Sequence, residues 1–314
     1  MIINTGGRTD TVQYYTQWLL KRFDEGYVLS RNPLFPHKVT CYELTPDKVD
    51  CVVFCSKNYR PILNDLHRIT DRFNTYFFYT ITAYGKDVEP YVPDIEESIG
   101  TLKELSAMVG KERLVWRYDP VLLTETYTKE VHRETFSRMA KVISPYVDRC
   151  VFSFVENYDK VPFNMPELIP FRGDDKKDLA RILGKIASDY NLPIQICASK
   201  DDYSEFGIAN RACMTLEDIG KANGVVFKDL KHRGMRNNCH CIESRDIGWY
   251  DTCPNGCKYC YANKDPKRAK DNYLLHDPDS PLLFGHLGED DEVSQGSQQS
   301  FLKKSRNVMS LDQF

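Results

Sequence analysis

The sequence predicts an α/β protein built as a partial (β/α)6 TIM-like barrel with a cysteine-rich iron–sulfur segment at its carboxyl end. Three observations carry that expectation. Apolar runs rich in β-branched and aromatic residues alternate with amphipathic segments six times in succession, which argues for parallel strands joined by right-handed crossovers. At 314 residues the chain can bury one barrel-sized core and an appendage. Five of its eleven cysteines crowd into residues 237–263, "NNCHCIESRDIGWYDTCPNGCKYCYAN". A doubly wound open sheet is the alternative arrangement of the same units.

The elements follow in order. "MIIN" reads as a short strand, and "TVQYYTQWLLKRFDEG" has apolar residues at helical spacing with a closing Gly26. "YVLSRNP" and "HKVTCYEL" read as an added hairpin or paired strands. Five further runs have the composition of buried strands: residues 50–55, 75–82, 113–118, 149–155 and 193–198. The segments "PILNDLHRITDRF", "IEESIGTLKELSAMVG", "KEVHRETFSRMAKVIS" and "KKDLARILGKIASDY" between them are helical in period. The barrel is expected over 1–212, a cysteine-rich segment capping its mouth over 213–263, and a tail over 264–314 that is flexible from about 280, where Asp, Ser, Gln and Gly run without periodicity.

Composition narrows the function. A formal net charge of −3 gives no electrostatic case for nucleic acid or an anionic membrane. No apolar run is long enough to span a bilayer, and "MIINTGGRTD" lacks the features of a signal peptide, so a cytoplasmic protein is expected. In that reducing compartment clustered cysteines read as metal ligands or redox groups.

In such a fold the working residues sit in the loops after the strands. That rule selects "GGRTD", "SKN", "AYGKDVEP", "DP", "ENY" and "SKDD", and among their charged groups Arg8, Asp10, Glu89, Arg117 and Asp119. Strand alternation in "RLVWRYDP" puts Arg117 and Asp119 on one face and Trp116 and Tyr118 on the other. The first pair either points into the barrel mouth toward a polar ligand or forms a structural ion pair.

Cys253, Cys257 and Cys260 form C-x3-C-x2-C. Structural zinc sites normally use four protein ligands, so an isolated triplet is an awkward zinc site. A [4Fe–4S] cluster held by only three thiolates keeps one iron open for chemistry. Cys197, Cys213, Cys239 and Cys241 are candidates for a second, four-thiolate centre, with zinc at the same sulfurs or unliganded buried thiols as alternatives. Cys41, Cys51, Cys55 and Cys150 lie on strand-like stretches and read as small buried hydrophobes. "KDLKHRGMRNN" is locally basic and faces either a substrate phosphate or solvent.

"CPNGCKYC" resembles the C-x3-C-x-aromatic-C signature of the radical S-adenosylmethionine (SAM) superfamily. That signature normally follows the first barrel strand, whereas here it follows the sixth unit, so a permuted arrangement must bring it back to the rim beside "GGRTD". Through "RTD", "YGKDVEP", "GKERLVWRYDPVLLTE", "CVFSF" and "SRDIGWYDTCPNGCKYCYAN", residues 1–263 resemble DUF1848, a family of unknown function with a radical SAM-like cysteine cluster at its carboxyl end. "YGKDVEP" with "WRYDP" also resembles spore photoproduct lyase-type barrels. The chain departs from the pattern at Gly7, at Asn255 where histidine is common, and in lacking a Gly-Gly-Glu motif after the second strand.

The resemblance implies a [4Fe–4S] cluster, SAM as cofactor, reductive cleavage to a 5′-deoxyadenosyl radical and hydrogen abstraction from an unknown substrate. It also implies an electron donor such as flavodoxin or ferredoxin. Tyr259 would flank the adenine, and Arg8, Asp10, Arg117 and Asp119 would offer the cofactor charge-assisted partners. The competing function is a non-catalytic iron–sulfur or zinc protein serving structure, electron transfer or nucleic-acid contact.

Overall fold

The computed structural model describes residues 1–156, 160–228 and 239–303. Its strands, in chain order, are β1 (Ile2–Asn4), β2 (Tyr27–Arg31), β3 (Lys38–Glu43), β4 (Cys51–Ser56), β5 (Thr75–Thr80), β6 (Leu114–Val121), β7 (Arg149–Phe154), β8 (Ile194–Ile196), β9 (Ile208–Asn210), β10 (Arg245–Asp246) and β11 (Glu292–Gln295). Eight of them form one parallel sheet in the order β10-β1-β4-β5-β6-β7-β8-β9. The order runs from β1 to β9 without reversal, and the last strand, β10, returns to pair beside the first. β10 and β9 are the sheet's edges.

Period-two alternation divides the sheet's side chains between two cores. Val52, Phe54, Phe77, Tyr79, Trp116, Tyr118 and Phe152 join the large core that the long helices cover. In the helix Lys129–Ile143 the buried residues are His132, Phe136, Met139, Ala140 and Ile143, one stripe at helical spacing, and Thr128 caps its start by accepting from Val131 N. Phe136 stacks on Trp116 with centroids 5.0 Å apart, and each such fully buried large side chain contributes about 2–3 kcal/mol. The opposite face, with Cys51, Val53, Tyr76, Phe78, Val115 and Val151, packs against Leu216 and Ile219 of the helix Leu216–Asn223 and against Phe227, Cys241 and Ile242. Described residues between 213 and 242 therefore fill that second face, while Ile247, Trp249, Cys257 and Tyr259 join the large core.

Three expectations are corrected. The main sheet has eight strands rather than six, because Ile208–Asn210 and Arg245–Asp246 also pair. These runs are two or three residues long and carry Asn, Arg and Asp, so they give no apolar signal. The hairpin strands β2 and β3 gain a parallel third strand, β11. The tail accordingly is not a free one over 280–303: Leu282 and Leu283 are buried, Arg31 pairs with Asp291, and Asp50 accepts from Ser300 Oγ and Phe301 N at 2.6 and 2.8 Å. Residues 304–314 lie outside the described residues, as do Asn157 and Tyr158 of "ENY" and most of the basic stretch "KDLKHRGMRNN".

Candidate functional site

The returning strand builds the site. Pairing of β10 with β1 sets Asn4 opposite Asp246, and the buried Asp246 carboxylate accepts from Gly7 N at 2.7 Å and Gly248 N at 2.8 Å. Arg8 closes the same junction, donating to the carbonyls of Asp246 and Gly248 at 3.5 and 3.4 Å. The two glycines of "GGRTD" are required by approach: a Cβ on Gly6 would lie 1.9 Å from the Cys55 carbonyl oxygen, and one on Gly7 would lie 2.3 Å from Asp246 Oδ2.

This junction carries the cysteine triplet to the loops after β1, β4 and β5. Cys253 is buried. Cys260 Sγ accepts from Ala262 N at 3.3 Å. The loop is held at both ends: Tyr14 Oη donates to Asn255 Oδ1 at 3.0 Å, Asn263 Nδ2 to the Cys253 carbonyl at 2.6 Å, and Lys258 N to the Val88 carbonyl at 3.1 Å. Asp10 is fully engaged, capping the helix Thr11–Tyr14 through Gln13 N and accepting from Ser56 Oγ and Lys57 N.

Beside the triplet stands a buried polar cluster. Glu89 Oε1 accepts from Lys57 Nζ at 2.9 Å, from Thr82 Oγ1 at 2.7 Å and from Tyr259 Oη. Lys57 lies over the Tyr259 ring, 5.7 Å from its centre. Burial opposes the lysine's charge, but Glu89 and the nearby Cys257 sulfur outweigh it and hold its pKa above the ordinary value. Burial also pushes the Cys253 thiol up to about 12 and raises Cys257.

On the neighbouring strands, Arg117 and Asp119 do share a face, opposite Trp116 and Tyr118, and they form an ion pair with each other. Arg117 Nη1 also donates to Cys55 Sγ at 3.5 Å, and Asp119 accepts from Ser153 Oγ. Beyond them lie Cys197, Cys213, Cys239 and Cys241. Cys213 Sγ and Cys241 Sγ are 3.2 Å apart, and Cys197 and Cys239 belong to the same packed cluster. Among the described residues no three His, Cys, Asp or Glu side chains are arranged to hold a metal ion as they stand, and no cysteine is disulfide-bonded.

The family model described as Domain of unknown function (DUF1848) matches residues 2–262. The chain belongs to the DUF1848 family. No curated protein and no solved structure matches it. The match ends within the cysteine-rich loop, so the whole rim assembled from "GGRTD" to "CKYC" lies inside this DUF1848 domain.

The structure brings together Asp10, Tyr259, Cys253, Cys257 and Cys260 at one place on the rim, with Arg8 at the junction below. Arg117 and Asp119 sit apart from the triplet, with Arg117 donating to Cys55, which packs on the same cluster as the second group of thiols. Sequence reasoning passed over Asp246, Lys57 and Cys55. Asp246 reads as one acid in a loop, and the partner that ties it to the first strand, Gly7, lies 239 residues away. Cys55 was legible through alternation, since it stands two residues after the inward-facing Val53.

Proposed function

We propose that the protein is a radical SAM-like iron–sulfur enzyme of the cytoplasm, in which Cys253, Cys257 and Cys260 hold one [4Fe–4S] cluster at the mouth of a partial barrel. When bound with one iron open, such a cluster supplies the electron and the binding point for reductive cleavage of SAM to methionine and a 5′-deoxyadenosyl radical, which abstracts hydrogen from a substrate. The observation that carries this reading is the pair of hydrogen bonds from Tyr14 Oη to Asn255 Oδ1 at 3.0 Å and from Tyr261 Oη to the Gly7 carbonyl, which joins the carboxyl-terminal triplet loop to the segment after β1.

The donor set fits the group. The three cysteines stand on one loop, where Ala262 N donates to Cys260 Sγ and the Lys57 ammonium, shared with Glu89, can offset the negative charge of a thiolate-bound cluster. Glu89 keeps Lys57 and Tyr259 fixed against the triplet loop. Tyr259, Arg8, Asp10, Arg117 and Asp119 remain the proposed cofactor set, with divided duties. Arg8 and Asp10 act through the loop they hold, while Arg117 and Asp119 offer a charged pair to a ligand above β6. A donor of the flavodoxin or ferredoxin class supplies the electron.

Anaerobically purified and reconstituted protein should carry iron and sulfide that the Cys253→Ala/Cys257→Ala/Cys260→Ala variant lacks, and the wild type should release 5′-deoxyadenosine from SAM with dithionite. A triple variant that keeps the wild-type iron content would overturn the cluster assignment.

A further inference from the structure

The triplet leaves the second group of thiols unexplained. We propose that Cys197, Cys213, Cys239 and Cys241 bind a single thiophilic ion of the zinc class as a closed tetrathiolate, a structural site separate from the iron–sulfur triplet. The four residues come from three places in the chain: the end of β8, the loop after β9, and the segment that leads into β10. Ordinary packing disperses small buried thiols among carbon side chains, as it does Cys51 and Cys150 on opposite faces of the sheet. Here four thiols gather in one packed cluster, and Cys213 and Cys241 touch sulfur to sulfur at 3.2 Å.

Geometry separates one ion from a second cluster. Zinc–sulfur bonds of about 2.3 Å place tetrahedral sulfurs about 3.8 Å apart. Cys213 and Cys241, 3.2 Å apart, need to part by only about half an ångström to reach that spacing. The thiolates of a four-iron cluster stand outside the corners of an iron–sulfur box. Accommodating one would drive Cys197 and Cys241, each 5 % exposed, far into the core formed by Met214, Ile219 and Ile242.

The surroundings suit a closed, charged site. The Arg117 guanidinium lies near Cys197 and Cys213, and its buried Nε has no hydrogen-bond partner, so it can support the extra negative charge of a tetrathiolate from outside the ligand shell. Arg149 Nη2 donates to the Cys213 carbonyl at 2.9 Å, and Ile242 N to the Met214 carbonyl at 3.0 Å, fixing the backbone on both sides. Burial leaves no open coordination position, so the site's work is to pin the returning segment against the sheet and thereby aim β10 at β1.

The test uses full-length protein produced with both metals supplied and measured for zinc and iron together. One zinc per chain is expected in the wild type and in the Cys253→Ala/Cys257→Ala/Cys260→Ala variant, whether or not the triplet binds iron, and at least a tenfold loss of zinc is expected in Cys213→Ser/Cys241→Ser. Should that variant be insoluble, zinc-edge X-ray absorption on the wild type decides, with four sulfur neighbours at about 2.3 Å expected. Iron at these four cysteines, as a single ion or a second cluster, would overturn the proposal. So would a Cys213–Cys241 disulfide or a wild type without zinc.

Discussion

The two cysteine groups share a residue type and the carboxyl-terminal segment but differ in what surrounds the sulfur. At the triplet, Cys260 Sγ receives the Ala262 N–H, and Tyr259 of the same loop donates to Glu89, which also holds Lys57. In the second group, sulfurs receive one another and are walled by Met214, Leu216, Ile219 and Ile242. A charged cluster beside the first group and mutual sulfur contact in an apolar core at the second are why we propose an iron–sulfur cluster for one and a closed structural ion for the other. In the proposed reading, environment, more than spacing in the sequence, separates the two groups.

That contrast is breakable from either side. Glu89→Ala removes the carboxylate that three donors share and leaves the buried Lys57 ammonium unpaired, so we expect a loss of about 3–5 kcal/mol in denaturant unfolding. The same variant should bind less iron while its zinc stays at the wild-type level. Equal loss of both metals would mean that the groups are not separate. Ile219→Ala works on the opposite side, opening a cavity under the second group at a cost of about 2–4 kcal/mol. Its zinc should become easier to extract by a chelator with iron unchanged, and unaltered extraction would remove the helix Leu216–Asn223 from the account. Tyr259→Phe is the mildest test, deleting only the hydroxyl that donates to Glu89, for about 1 kcal/mol. Iron content should hold, and a collapse of it would make Tyr259 essential to the loop's fold.

Much of the fold was legible because its signals are local. The stripe from His132 to Ile143 and the alternation that separates Trp116 and Tyr118 from Arg117 and Asp119 can be read within a dozen residues. The pairs that build the site are not local. Arg245–Asp246 is recognisable as a strand only once β1 lies beside it, and Glu292–Gln295 is exposed along its length and owes its conformation to β3. Of the candidate residues, Asp10 and Tyr259 were found by their loops. Their nearest partners, Lys57 and Glu89, come from other loops that the parallel sheet brings to the same rim. The clustering of Cys197, Cys213, Cys239 and Cys241 was expected from their count, whereas the contact distance that favours one ion needed the structure.

The central claim is that a triplet placed at the end of the chain works beside the first strand. Its most direct test is 5′-deoxyadenosine release from SAM by anaerobically reconstituted protein with dithionite, wild type against Cys257→Ala. We predict stoichiometric or greater release by the wild type and none above background by the variant. A fully iron-loaded wild type that leaves SAM intact, or a variant that cleaves it equally well, would contradict the account.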